Sequence, residues 1–506
     1  MTATAAGSGA VKGDVLGHPR QLWMLFMTEF WERFAFYGMR WALTLYIVAQ
    51  FFGGDASGEG WASRTYGSFL ALVYATAIFG GYVADRIIGY QRSILLGAIV
   101  TAVGLFAITV ADQQVFLLGL AFVIVGNGLF KPNISTMVGK LYAADDPRRD
   151  RGFTIFYMGI NAGALVAPLL TGWLASEFTN TPMEQNYKAV FYATGVGMLI
   201  SLLWFWFGRR DLGEIGRPPE GRNGTTSMLM VLVGSAIAVP IIYMLLSRVG
   251  AEPLQYVLSA LFVGLGVMLL AEAMREGKVS RDKVIAMMIL FTFNILFWCF
   301  FEQAGSSFNF LAQNVVNRDL GGWEFPVGWF QSVNPAGIVL LAPVVAVIWG
   351  MLAGMKAEPS IPRKFGLGLI GNALGFLVLM YALSSLVSEV PGADGAMIKQ
   401  IPFWPLALCY VFQTVGELCL SPIGLSMVTK LAPMKYVGLA MGGWFLSTAI
   451  GNNLSGIVAG LISGETGLTV ASALQGFTAS FYLLLGAGVV LFLIGPLINK
   501  FMHGVK

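Results

Sequence analysis

Twelve residues near the start of the chain, Glu29-Phe30-Trp31-Glu32-Arg33-Phe34-Ala35-Phe36-Tyr37-Gly38-Met39-Arg40, set two carboxylates and two guanidinium groups in otherwise apolar surroundings. Such groups can form ion pairs, exchange protons or hold a small charged ligand. At about 100° per residue, Glu29, Glu32, Arg33, Phe36, Tyr37 and Arg40 project into an arc of roughly 140° of a helix. Each ionisable group at membrane depth costs about 2.5–3.5 kcal/mol on insertion scales, so this face is predicted to meet partners or water inside a bundle.

Four more polar groups lie within apolar runs: Lys131, Asn161, Glu302 and Glu417. Counting Glu29, Glu32, Arg33 and Arg40, acids and bases nearly balance, as a set of intramembrane ion pairs requires. Static pairs would hold helices together, whereas pairs that break and re-form would couple conformations. Intramembrane ionisable groups are functional by default. Trp298 lies one turn from Glu302, Tyr157 one turn from Asn161, and Trp444 one turn from Ser447. Each aromatic can pack or touch a ligand. Tyr74 and Asn334 rank with them, and Asn334 precedes Pro335, where a helix break could free backbone groups. With only His18 and His503, near the two ends, no imidazole is expected within the spans to relay protons.

The elements that position these groups follow from composition. Of 506 residues, 56% are hydrophobic and 11% charged, against about 25% charged in a soluble domain, which predicts an all-α integral membrane protein. The net charge of +4 with basic residues in loops gives no sign of a nucleic-acid partner. Cys299, Cys409 and Cys419 fall in apolar runs without metal-site spacing, so neither a metal centre nor a structural disulfide is expected.

Spans of about 20 residues are predicted near 21–52, 64–84, 92–111, 113–141, 152–176 and 188–208, then 226–247 and 254–274, then 284–315, 327–353, 364–388, 401–429, 436–463 and 470–502. These parse as a tail (1–18), a six-helix bundle (19–210), a linker with two extra helices (211–280) and a second six-helix bundle (281–506). Basic clusters occupy alternate connections and the intervening loops, such as 53–60 and 111–114, hold almost none. The positive-inside rule then predicts both termini cytoplasmic. Gly126 and Pro132 in the fourth span match Gly416 and Pro422 in the fourth span of the last six. Two parallel halves around a midplane site is a transporter architecture.

Two sets of motifs carry a resemblance. Gly81-Tyr-Val-Ala-Asp85-Arg86-Ile-Ile-Gly89-Tyr-Gln-Arg92 is similar to the loop between the second and third spans of the major facilitator superfamily, where Asp85 would act in a state-dependent latch. Glu29-x-x-Glu32-Arg33-Phe34-x-Phe36-Tyr37 resembles the Glu-x-x-Glu-Arg-Phe-x-Tyr-Tyr signature of the proton-dependent oligopeptide transporters. Phe156-Tyr157-Met-Gly-Ile160-Asn161-Ala-Gly163 and Glu417-Leu-Cys-Leu-Ser421-Pro422-Ile-Gly424-Leu-Ser426 agree with the same family. Phe36 departs from the signature by one hydroxyl, and Ala164 stands where Ser is common.

The resemblance implies a major facilitator fold and uptake of di- and tripeptides driven by protons, with no other cofactor, by a protein that works as a monomer in the inner membrane. Arg33 and Lys131, with the hydroxyls of Tyr37 and Tyr74, would bind the peptide carboxylate. Glu417, Asn161 and Asn334 would bind the amine, and Trp298, Trp444 and Ser447 would line side-chain pockets. Arg40–Glu302 and Lys131–Glu417 would be switchable bridges, and Glu29 and Glu32 would take part in proton coupling. An alternative is a proton-coupled facilitator for another solute such as nitrate or a drug, although a lone anion gives Glu417 no use. No His-Glu-x-x-His or Gly-x-Ser-x-Gly pattern is present to suggest an enzyme.

Overall fold

A computed structural model describes residues 14–143, 145–178, 185–219, 224–391 and 397–505. Residues 1–13 of the expected flexible tail, and Arg222 and Lys506 of the basic loops, lie outside the described residues. The chain is helical almost throughout: α1 (Arg20–Phe51), α2 (Glu59–Val83), α3 (Tyr90–Ala107), α4 (Gln113–Lys140), α5 (Arg149–Glu177), α6 (Tyr187–Gly208), α7 (Gly224–Met244), α8 (Ala251–Glu276), α9 (Lys278–Phe301), α10 (Ser307–Asn314), α11 (Val333–Gly354), α12 (Ile361–Ser385), α13 (Trp404–Leu431), α14 (Val437–Ser463) and α15 (Val470–Phe501). A short hairpin, β1 (Ser388–Pro391) with β2 (Met397–Gln400), pairs antiparallel between α12 and α13.

Thirteen described helical segments are long and apolar enough to cross a membrane. The remaining long helix, α1, has 32 residues and is made less apolar by Glu29, Glu32, Arg33 and Arg40. The ninth span is broken: α9 ends at Phe301, a 3-10 turn covers Glu302–Gly305, and α10 resumes at Ser307. The sequence predicts one continuous span over 284–315, although Gly305-Ser306-Ser307 marks the interruption locally. No break occurs at Asn334–Pro335: a 3-10 turn over Val327–Ser332 passes directly into α11, which runs through both residues. Pro335 then sits in the first helical turn, where a missing N–H is tolerated.

Boundaries follow local chemistry. Asp112 Oδ1 accepts from the Gln114 and Val115 amides at 2.9 Å, capping α4. Thr469 and Ser472 form a reciprocal capping box at the start of α15. Between α2 and α3, Gly89 adopts φ +79°, and a Cβ there would lie 2.5–2.8 Å from the backbone of Arg217 and Pro218. Only glycine satisfies both constraints.

The chain forms two compact units, one of Met1–Met39, Thr76–Ala167 and Phe191–Tyr243, the other of Arg40–Ala75, Pro168–Val190 and Met244–Lys506. In the first, Gly126 would place a Cβ 2.7 Å from the Gly97 carbonyl, so α4 and α3 meet backbone to backbone. In the second, Gly416 would place one 2.6 Å from the Gly368 carbonyl, so α13 and α12 meet in the same way. The Gly–Pro repeat therefore marks the same close helix contact in each unit, the use small residues have in lipid. The end of the predicted tail is tied down, with Asp14 paired to Arg148 at 2.9 Å and His18 bonded to the Tyr142 hydroxyl at 2.9 Å.

Candidate functional site

In the first unit the charged face of α1 is buried: Glu29, Glu32 and Arg33 are each 2% exposed. The Arg33 fork is bidentate on Glu32, at 2.5 Å from Nε and 2.6 Å from Nη2, and Glu29 Oε1 lies 3.4 Å from Nε. Asn127 of α4 donates to Glu32 at 3.0 Å. Glu29 Oε2 is buried without a hydrogen-bond partner, and the half-buried Lys131 of α4 acts on Glu29 electrostatically. The guanidinium stacks over Phe36 at 5.0 Å and reaches the Tyr37 ring at 6.0 Å. Stacking needs only a ring, so Phe36 serves it without the signature's hydroxyl. A Cβ on Gly163 would meet Phe30 O and the Arg33 side chain, so α5 presses directly on this cluster. Asn161, also on α5, is buried and donates to the Tyr157 carbonyl at 3.0 Å.

In the second unit Arg40 Nη2 is ion-paired with Glu302, and Nε donates to the Tyr66 hydroxyl at 2.7 Å. Glu302 opens the break after α9 and is 3% exposed, Arg40 8%. Around this pair, Thr44 donates to Gly305 O at 3.1 Å and Asn309 to Trp41 O at 2.7 Å. Trp41 donates to Thr171 at 2.8 Å, so α1, α5 and the α9–α10 break are bound into one network. Glu417 of α13 accepts from Asn334 Nδ2 at 2.9 Å, and Asn334 reaches Thr414 at 3.0 Å. Arg40 and Glu302 both act on Glu417 electrostatically, and Tyr74 acts on Tyr66.

The aromatic positions differ in character. Trp298 Nε1 is buried without a hydrogen-bond partner. Trp444 packs on Phe291 and Phe365 at 5.8 and 6.2 Å, with Gly424 under its ring. Ser447 is fully buried, donating to Trp444 O at 2.7 Å and accepting from Asn294 at 2.8 Å. Asp85 is exposed on a π-helical turn, Ala84–Ile88, and accepts from the Tyr90 hydroxyl across the Gly89 corner. Lys131 belongs to the first unit and Glu417 to the second. Among the described residues no group of three or more His, Cys, Asp or Glu is placed to hold a metal.

Sequence reasoning missed Tyr66, Asn127 and Glu59. Glu59 is 2% exposed and accepts from Asn314 Nδ2 and the Leu468 amide, each at 2.7 Å. The predicted span starts at 64, whereas α2 begins at Glu59. Close by, Gly67 of α2 would place a Cβ 2.7–2.9 Å from Gly456 and Asn452 of α14. Gly67→Val is expected to disfavour this contact by about 1–3 kcal/mol, as overpacking does. In a Ser63→Cys background, maleimide labelling of the buried Ser63 position should then accelerate; unchanged labelling would refute the contact as what keeps that position buried.

Residues 91–477 match the family described as the POT family. The chain belongs to the POT family. It is 38% identical to the peptide transporter YePEPT of Yersinia enterocolitica over 97% of this chain and 96% of that protein. It is 32% identical to dipeptide and tripeptide permease B of Photorhabdus luminescens, over 97% and 98% of the two chains. The crystal structure of a peptide transporter POT in complex with sulfate matches with a TM-score of 0.82 at 32% identity, covering 97% of each chain. The POT family chain thus has the major facilitator fold, with α7 and α8 the two helices beyond the twelve of the two six-helix bundles.

Proposed function

We propose that this chain is a proton-coupled symporter that imports di- and tripeptides by alternating access. The observation that carries the reading is the buried Arg40–Glu302 pair, which joins the first span to a break in the ninth. The names of its relatives, a peptide transporter and a dipeptide and tripeptide permease, supply the substrate class.

The chemistry follows from competition for two arginines. Arg33 already holds a carboxylate, that of Glu32, so a peptide carboxylate binds there only as Glu32 lets go. A proton on Glu32 or Glu29 removes the competing charge and frees the fork, which makes proton and peptide carboxylate arrive together. Lys131, Tyr37 and Tyr74 assist at the carboxylate, while Glu417, Asn334 and Asn161 take the ammonium. A proton on Glu302 releases Arg40, converting a gradient into a conformational preference. The Lys131–Glu417 bridge is the second switch, and Asp85 the latch at the basic end. Charges that clamp both peptide ends, with loose apolar pockets near Trp298, Trp444 and Ser447, give length selection with broad sequence tolerance. Two six-helix halves separated by 211–280, cytoplasmic termini, an inner-membrane location, a working monomer and no cofactor other than the proton complete the proposal.

Proteoliposomes given a pH step and dialanine test it. Accumulation is expected only with the outside acidic; equal accumulation without the gradient refutes coupling. Counterflow blocked by dipeptides and not by nitrate is expected; the reverse pattern would select the other-solute reading.

A further inference from the structure

The first unit holds a groove that no part of the transport proposal uses. It has a volume of about 560 Å³ and runs between α2, α4 and α7, lined by residues such as Phe79, Val83, Ile87, Val125, Leu129 and Ile242. Of its fifteen lining residues only Thr76 and Ser235 have polar side chains, and none is charged. Its origin is local: Gly80 of α2 and Gly128 of α4 touch backbone to backbone, so no side chain fills the furrow beside them. The inserted helix α7 covers the furrow loosely. Only Ser227, Val231, Val239 and Ile242 of its residues are buried, and Val231 alone joins the small cluster of Ile88, Leu96 and Leu129. A Cβ on Gly234 would meet nothing within 4 Å.

Two features identify an occupant. Along α7 the lining runs from Met230 to Ile242, roughly 18 Å at 1.5 Å per residue, comparable to the roughly 15 Å half-thickness of a bilayer core. At the basic-loop end stand Arg92 and Arg86, neither of them in an ion pair among the described residues. Among the described residues Arg92 makes one long bond, 3.5 Å, to the carbonyl of Gly224, the first residue of α7. Arg86 adjoins the groove residue Ile87 and is exposed, with no ion pair among the described residues. Cations at the mouth of an acyl-length groove select an anionic headgroup.

We propose that an anionic phospholipid of the leaflet on the basic-loop side is a bound structural ligand here. One acyl chain fills the α2–α4–α7 groove, and Arg92 and Arg86 hold the phosphate. The lipid supplies the packing that α7 lacks, which gives the inserted helix a role as one wall of a lipid site.

Native mass spectrometry of the purified full chain, incubated with phosphatidylglycerol or with phosphatidylcholine of the same acyl chains, tests this. One phosphatidylglycerol per chain is expected to be retained in preference to phosphatidylcholine. Gly234→Phe and Ala238→Phe, each filling the groove, should lose retention of both lipids. Val233→Phe, on the exposed face of the same helix, should not. Arg92→Gln should cut the preference for phosphatidylglycerol about fivefold while leaving phosphatidylcholine unchanged. Equal retention of both lipids by the wild type overturns the headgroup assignment. Undiminished retention by whichever groove-filling variant elutes as a single species overturns the groove.

Discussion

Glu302→Gln is expected to yield a carrier that exchanges peptide but no longer accumulates it. The amide keeps the shape of the side chain and an oxygen for Arg40, whose Nε still reaches Tyr66 at 2.7 Å. It has no site to take up and release a proton. It also removes the carboxylate ion-paired with Arg40, which is 8% exposed, and breaking a buried pair costs about 3–5 kcal/mol. At 1.4 kcal/mol per decade, that disfavours the closed network by more than about a hundredfold. In proteoliposomes, dialanine counterflow should persist while uptake against a gradient under an acid-outside pH step falls to background. Accumulation equal to the wild type would show that the proton acts elsewhere, with Glu29 and Glu32 next in line.

Glu417→Gln should separate peptide binding from gating. Asn334 can still donate to the amide oxygen over the same 2.9 Å, so local packing is retained. The charge proposed to receive a peptide ammonium is lost. A hydrogen bond to a charged group contributes about 1.5–3 kcal/mol, so free-amine dialanine should bind roughly 10–150-fold more weakly. N-acetyl dialanine, which has no ammonium, should inhibit counterflow of variant and wild type alike. An unchanged half-inhibitory concentration for dialanine would remove Glu417 from the amine site.

What could be read from sequence was set by how strong each local signal was. The charged face of α1 was legible because ionisable groups at helical spacing in apolar runs stand out against their surroundings. Most span limits fell within a few residues, since hydropathy and capping residues such as Asp112 and Thr469 agree. The errors came where charge lies inside a helix end: α2 starts at Glu59 and α9 at Lys278, both earlier than hydropathy suggests. The break at Glu302–Gly305 contains no proline; its local mark is Gly305-Ser306-Ser307, and Gly305 O accepts a tertiary hydrogen bond from Thr44 of α1. Tyr66 and Asn127 are ordinary residues whose importance comes from the charge they face. The hairpin of β1 and β2 was hidden in a connection read only for its charge. Residue roles at the clamp came through the family signature, since spacing alone could say that Arg33 and Arg40 need partners but could not choose them.

The continuity of α1 has a mechanical consequence. From Arg20 to Phe51 the helix has no proline and no break, and Arg33 and Arg40 stand seven residues apart on it, roughly 10 Å of rise. An unbroken helix at this scale acts as a stiff lever: a tilt that moves one guanidinium necessarily moves the other. If Arg33 holds the peptide carboxylate as proposed, its occupancy and the state of the Arg40 bond lie on one continuous helix. A kink between them, as Met39→Pro would introduce, should let each end operate alone, and coupling efficiency would become a measure of the stiffness of a single helix.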